Sequence, residues 1–358
     1  MSVWRDLYHG STTFDFYGSR RRWFMISAII IVVSLGALFI RHLNLGVDFE
    51  GGTLIEMQNP SGASVEAVRG VTVDLGIEAA KVQTIGGGEG LRVQTSQLAP
   101  ALEDTLVTRV AALAGVDPGE ASRSSIGPTF GSSIAESALR ALIVFLIVVA
   151  LYITWRMEWK MAVTALLALA HDLIFTAGVY ALVGFEVSPA TVIAILTILG
   201  YSLYDTVVVF DKVQENVKER GDRQTFSSIV NMSMNQVLMR SVNTSLVTLL
   251  PIGTLLFVGS YLLGATTLRE FALALFIGVA TGTYSSIFLA APVLGAWKEG
   301  DEQWIRVRRR LERRGGDEEL PARVAGRPAP TATGHAVREM RETSGAAPRP
   351  PRKRRRKR

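Results

Sequence analysis

Four ionisable side chains stand within or against apolar runs of the chain: His171 and Asp172 in residues 161–183, Asp205 in residues 188–210, and Arg240 at the head of residues 241–268. An ionised group near the centre of a bilayer costs at least about 2.5–3.5 kcal/mol, so such residues face a protein interior or a water path. A carboxylate and an imidazole can each exchange a proton, and a guanidinium stays charged. The chemistry these types suggest is proton movement at membrane depth. A buried aspartate neutralised in turn by a proton and by arginine would be a two-state switch, and the membrane field supplies about 2.3 kcal/mol per charge per 100 mV to drive it. The sequence alone leaves plainer readings open: Arg240 as a snorkelling residue at a helix end, Asp205 as one half of a structural ion pair, and His171–Asp172 as a helix-packing hydrogen-bond knot.

Helical spacing groups further polar residues with these four. Asp205 shares a face with Tyr201 and Thr197 at i−4 and i−8 and with Ser202 at i−3. Asp205 lies about six residues beyond the midpoint of its run, or roughly 9 Å along a helix axis. Arg240, entering from that same side, reaches a similar depth, with Asn243 and Thr244 one turn further in.

These residues need membrane helices to hold them. Of 358 residues 48% are hydrophobic and the mean hydropathy is +0.27. A span needs roughly 20 apolar helical residues. Six fit, at 23–40, 134–155, 161–183, 188–210, 237–259 and 271–297. The first is long for a cleavable signal and continues into Arg41-His42 without a small-x-small cleavage pattern, so it reads as a retained anchor. The absence of cysteine excludes disulfides.

Basic residues favour the cytoplasmic side in short loops. Arg20–Arg22 precede the first span, Arg156 and Lys160 separate the second and third, and Lys212, Lys218, Arg220 and Arg223 separate the fourth and fifth. Both termini are therefore expected in the cytoplasm, with residues 1–22 and the loop 211–236 on that side. Residues 41–133 then form one large external segment. Its pieces, strand 53–58, helix 64–75, strands 81–85 and 91–95, helix 100–113 and strand 121–126, follow the βαββαβ order of a ferredoxin-like α+β domain. The glycines at 86–88 and 90 suit a hairpin between its middle strands. The fold class expected is a polytopic α-helical membrane protein with this external domain between helices 1 and 2. The domain carries six Lys/Arg against eleven Asp/Glu, whereas residues 298–358 carry nineteen against nine. That basic tail, ending PRPPRKRRRKR, is rich in Pro, Ala, Gly and Arg and reads as disordered, with anionic lipid or the ribosome as candidate contacts.

Several motifs together carry a resemblance: GVDFEGGT (Gly46, Asp48, Gly51 and Gly52 within it), LAHD at 169–172, GYSLYDTVVVFDKVQEN at 200–216, the Asn231/Ser233/Gln236/Arg240 spacing, and GTYSSI with Gly282, Ser285 and Ser286. From about residue 20 to 297, in order, the chain resembles the SecF family of protein-export membrane proteins, in the resistance-nodulation-division superfamily. The resemblance implies a bacterial inner-membrane subunit pairing with SecD, associating with the SecYEG translocon and with YajC, and using the proton motive force to help draw unfolded secretory polypeptides across. In that family's terms Asp205 and Arg240 belong to the proton path. Relatives often have Asn before the aspartate where this chain has Tyr204. Protons are the only coupling ion implied; no cofactor or metal is expected.

Other classes fit less well. Tyr204-Asp205 and GYSL echo intramembrane proteases, but no intramembrane GxGD occurs, Leu203 stands where the serine motif needs Gly, and HExxH is absent from a chain with four histidines. No enzyme is expected. Half of a lipid or small-molecule exporter of the same superfamily is the remaining alternative.

Overall fold

The computed structural model describes residues 14–77, 80–262 and 266–314. Of the tail expected to be disordered over residues 298–358, Glu302–Arg314 instead form a helix, because Trp304 and Leu311 on one face are buried; from residue 315 on the tail lies outside the described residues.

Six helices are long and apolar enough to cross a membrane. They comprise α1 (Arg20–Arg41), α5 (Pro128–Arg156), α6 (Trp159–Val183), α7 (Pro189–Arg220), α8 (Phe226–Thr254) and α9 (Thr266–Ser285). The last runs on through a π turn, Ser286–Ala290, into α10 (Ala291–Lys298). Half of the apolar stretch of Arg269–Lys298 is buried against 6% for Thr129–Arg156, so α9 is central and α5 presents its apolar side chains outward. Helix ends are set by local chemistry. Ser188 caps α7 in a reciprocal box with Thr191, Pro189 occupies the first turn, and Thr225 caps α8. Pro251 removes a helical donor shortly before α8 passes into a π segment at Leu255–Leu262.

Small residues let the helices approach closely. A Cβ on Gly178 of α6 would lie 2.3 Å from the Ser34 Cβ of α1, and one on Gly278 of α9 would lie 2.2 Å from Ile198 Cδ1 of α7. The main apolar core lies among α6, α7 and α8 toward one end of the bundle, with Phe210, Phe226, Ile229 and Met234 fully enclosed.

At the other end stands a four-stranded antiparallel sheet built between α1 and α5. Its strands are β2 (Gly52–Gln58), β3 (Lys81–Ile85), β4 (Gly90–Thr95) and β5 (Ser122–Ile126), in the order β3-β4-β2-β5. Helices α3 (Val65–Asp74) and α4 (Pro100–Ala114) cover one face. The alternation in β2 explains this: Ile55 and Met57 enter the core with Val68, Leu91, Val93 and Leu106, while Glu56 points the other way. β4 is buried along its whole length, being central in the sheet. A short helix α2 (Val47–Glu50) links α1 to β2, and β1 (Asn44–Leu45) pairs in parallel with β6 (Glu186–Val187) of the α6–α7 turn. Helix α11 (Glu302–Arg314) lies at the opposite end, with Trp304 buried against Phe226.

Candidate proton-relay site

A cavity of about 680 Å³ opens between α7, α8 and α9. Thr197, Tyr201, Ser202 and Asp205 line it from α7, and Asn243 and Thr244 from α8. Helical periodicity places the first four on one arc, and the crossing of α7 with α8 supplies the other two. Asp205 Oδ1 accepts from Ser241 Oγ at 2.8 Å, and its buried Oδ2 has no hydrogen-bond partner among the described residues. Arg240 makes no ion pair with Asp205: its exposed guanidinium donates to Tyr204 Oη at 3.0 Å. One residue along α8, the Ser241 hydroxyl takes the place at the carboxylate that the sequence suggested for arginine. Tyr204 thus holds the cation one position away from Asp205 in α7.

Asp172 forms a second centre, fully enclosed at mid-helix in α6. Its Oδ2 accepts from Ser202 Oγ at 2.6 Å and from Ser285 Oγ at 2.8 Å, and its Oδ1 lies 3.2 Å from His171 Nδ1. His171 Nε2 is buried without a partner among the described residues. The same imidazole lines a second cavity of about 450 Å³ with Ile30, Phe175, Phe276 and Tyr284. Ser202 therefore faces both ways, lining the first cavity and donating to Asp172. A hydroxyl, a carboxylate and an imidazole in series join the two cavities, and such series carry protons within membranes.

Of the remaining motif residues, some pack the helices around these groups and others shape the link to the sheet. Gly282 lets α9 lie against α7, since a Cβ there would be 2.9 Å from Ser202 Cβ. Ser286 Oγ contacts Thr206 Oγ1 at 2.8 Å and donates to Ser202 O. At the sheet-free end, Asn216 Nδ2 donates to Ser233 Oγ and Gln236 Oε1, and Asn231 Oδ1 accepts from Phe16 N–H, so the polar spacing before Arg240 anchors α8 to α7 and to the chain before α1. At the sheet end, Gly46 N–H donates to Val187 O at 2.9 Å. Gly51 and Gly52 adopt φ of 77° and 131°, and a Cβ on Gly52 would meet Thr95 O at 2.2 Å. Asp48, half-buried in α2, has its carboxyl pushed above the ordinary range by burial.

One cluster was not singled out from sequence. Arg92 on β4 pairs with Glu56, directly opposite on β2, and with Glu186 and Glu270 from the sheet-side ends of the membrane helices. The alternation of β4 marks Arg92 as facing away from the α3/α4 core, but its two distant partners carry no local signal.

The family description "Protein export membrane protein SecD/SecF, C-terminal" matches residues 107–300, and "SecD/SecF GG Motif" matches residues 36–58. The chain belongs to the SecD/SecF protein-export family. It is 39% identical over 307 residues to a protein translocase subunit SecF of Streptomyces coelicolor, covering 85% of this chain and 82% of the relative. It is 35% identical over 289 residues to the protein translocase subunit SecDF of Thermus thermophilus, covering 80% of this chain and 38% of that one. The crystal structure of Thermus SecDF, described as a translocon-associated membrane protein, superposes with a TM-score of 0.75 at 34% identity. That match covers 84% of this chain and 40% of SecDF, so the chain spans less than half of that longer protein. A super-membrane-facing form of SecDF gives a TM-score of 0.59 at 34% identity, covering 80% of this chain and 39% of that one.

Proposed function

We propose that this chain is the SecF-type half of an accessory unit of the Sec translocon that uses the proton motive force to assist export. The observation that carries the reading is Asp205: a carboxylate deep in a membrane helix, at the wall of an open cavity, held by a hydroxyl and left with one oxygen free to take a proton. Arg240, held by Tyr204 one position before Asp205 in α7, tunes that carboxylate from the neighbouring helix, and His171–Asp172 extend the path across the bundle.

The cavity beside α7 and α8 exposes Tyr201 and Tyr204, and the Arg240 guanidinium, bonded to Tyr204, is exposed beside it, a polar face that lipid would solvate poorly. A second six-span protein, SecD, would cover them. SecYEG and YajC complete the expected assembly, in the inner membrane of a bacterium with both termini in the cytoplasm. The sheet then stands outside as a ferredoxin-like domain, and its edge strands β3 and β5 offer unpaired backbone to an extended, unfolded secretory chain. The basic tail faces anionic lipid or the ribosome.

The test is export of a secretory precursor into membrane vesicles carrying this chain with its partner. Asp205→Asn keeps size and hydrogen bonding but cannot titrate. Normal assembly, an intact ATP-driven step and loss of gradient stimulation are expected; Asp205→Glu retains part of it. A well-assembled Asp205→Asn complex with full gradient stimulation overturns the assignment.

A further inference from the structure

The sheet domain meets the membrane helices through an uneven group of charges. Arg92 is 7% exposed. Its Nε donates to Glu56 Oε1 at 2.5 Å, and its Nη1 reaches both Glu186 and, at 3.2 Å, Glu270. Glu56 belongs to the sheet. Glu186 sits in β6 between α6 and α7, and Glu270 near the start of α9. One guanidinium thus faces three carboxylates, two of them sharing a single nitrogen, so the group has a formal charge of −2 when all are ionised. Among the described residues no further cation forms an ion pair with the cluster. Lys81 on β3 is engaged by Asn44 and Glu50, the Tyr180 hydroxyl is spent on the Glu270 carbonyl, and Gln83, opposite Arg92 on β3, is neutral. Arg269 precedes Glu270 in α9.

We infer that Arg92, Glu56, Glu186 and Glu270 form a proton-sensitive latch, in which docking of the sheet domain on the helix ends takes up a proton and undocking releases it. The geometry requires this direction. Docking brings two carboxylates of the membrane helices against one of the sheet and removes all three from water, so a shared proton relieves their repulsion only in the docked state. Glu186 behaves accordingly: burial raises its carboxyl above the ordinary range, Glu270 and Glu56 reinforce the rise, and Arg92 opposes it without cancelling it. Burial would lower the Arg92 guanidinium, but Glu56, Glu186 and Glu270 outweigh that and keep it charged.

The sign follows by linkage. Below the ordinary glutamate range both states are protonated and the difference vanishes. Between that range and the raised value the docked state holds a proton that the separated state has lost. As pH rises through this window docking weakens, by up to about tenfold in equilibrium constant per pH unit while one proton is exchanged. Acid on the sheet side therefore holds the domain down. This places Arg92 as a positioning residue for the domain, separate from the Asp205 path.

The chain has no cysteine, so Thr108→Cys on α4 and Val183→Cys at the end of α6, both exposed, can be spin-labelled uniquely in the full chain with its partner. Distance distributions are recorded in lipid nanodiscs from pH ~4.5 to pH ~8.5, a range bracketing the carboxylates. The expected result is a single short distance in acid that gives way to a longer, broader population as pH rises. Glu186→Gln and Glu270→Gln, each neutral at every pH, flatten this response and keep the short distance; Arg92→Gln loses it first at the alkaline end. Asp205→Asn responds as the parent does, so failure of the proton-path assignment leaves this measurement intact. A parent distribution unchanged over the whole range, or a full pH response retained in both glutamine variants, overturns the latch.

Discussion

Substituting Gly52 by alanine tests why the motif after α1 carries two glycines. Gly52 opens β2 at φ 131°, a region where side chains cost about 1–3 kcal/mol. Its new Cβ would stand 2.2 Å from Thr95 O, a backbone atom of the paired strand, so no side-chain rotation can relieve the contact. Relief requires β2 and β4 to part near Thr53–Thr95, losing at least one ladder hydrogen bond worth about 0.5–1.5 kcal/mol. The sum is about 2–4 kcal/mol, or a rise of about 30- to 700-fold in the opening equilibrium. Hydrogen exchange read by mass spectrometry on the full chain reports this directly, because protection follows local opening. Peptides covering Gly52–Gln58 and Gly90–Thr95 are expected to lose protection by that factor, while α6 keeps its own. Gly76→Ala is the control. Its φ of 73° carries the penalty of a left-handed residue, about 1–2 kcal/mol, but the position has open space and lies after α3. Unchanged protection of β2 and β4 in Gly52→Ala, or an equal loss there in Gly76→Ala, refutes the reasoning.

Three further outcomes follow from the same geometry. Gly282→Ala is expected to lower thermal stability of the purified complex by about 1–3 kcal/mol through overpacking against Ser202, whereas Gly36→Ala, with open space around it, should be neutral or gain about 0.5–1 kcal/mol; thermal melts followed by size-exclusion chromatography decide between them. Arg240→Met should leave abundance unchanged, since its guanidinium is exposed, yet abolish gradient-stimulated export in vesicles. Asp48 has a folded-state carboxyl held above its ordinary range, so its contribution becomes unfavourable as pH rises past the unfolded value; Asp48→Asn should raise the melting temperature at pH ~7 and not at pH ~3.

The six spans were legible because a membrane forces long apolar runs, and each run coincides, to within a residue at its start, with part of a helix long and apolar enough to cross. Their ends were less so. α7 runs on to Arg220 and α8 starts at Phe226, because these more polar segments still bury one mostly apolar face in the bundle: Val213 and Asn216 on one helix, Phe226, Ile229 and Val230 on the other. Within the site, spacing alone placed Thr197, Tyr201, Ser202 and Asp205 on one arc of α7. It could not show that this arc divides, with Asp205 turning to Ser241 of α8 and Ser202 to Asp172 of α6. Which neighbour lies on each side of a helix is a tertiary fact. Ser241, Ser285 as a donor to Asp172, and the Arg92 cluster were invisible for that reason: each contact joins residues between 36 and 178 positions apart.

Proton flux measures the central assignment without export as an intermediary. The chain is reconstituted with its partner in liposomes enclosing a pH-sensitive dye, and a proton gradient with an inside-negative potential is imposed. Flux above that of empty liposomes is expected for the parent complex, none above background for Asp205→Asn, and a partial rate for Asp205→Glu. Flux through fully assembled Asp205→Asn equal to that of the parent would contradict the assignment of Asp205 as the proton carrier.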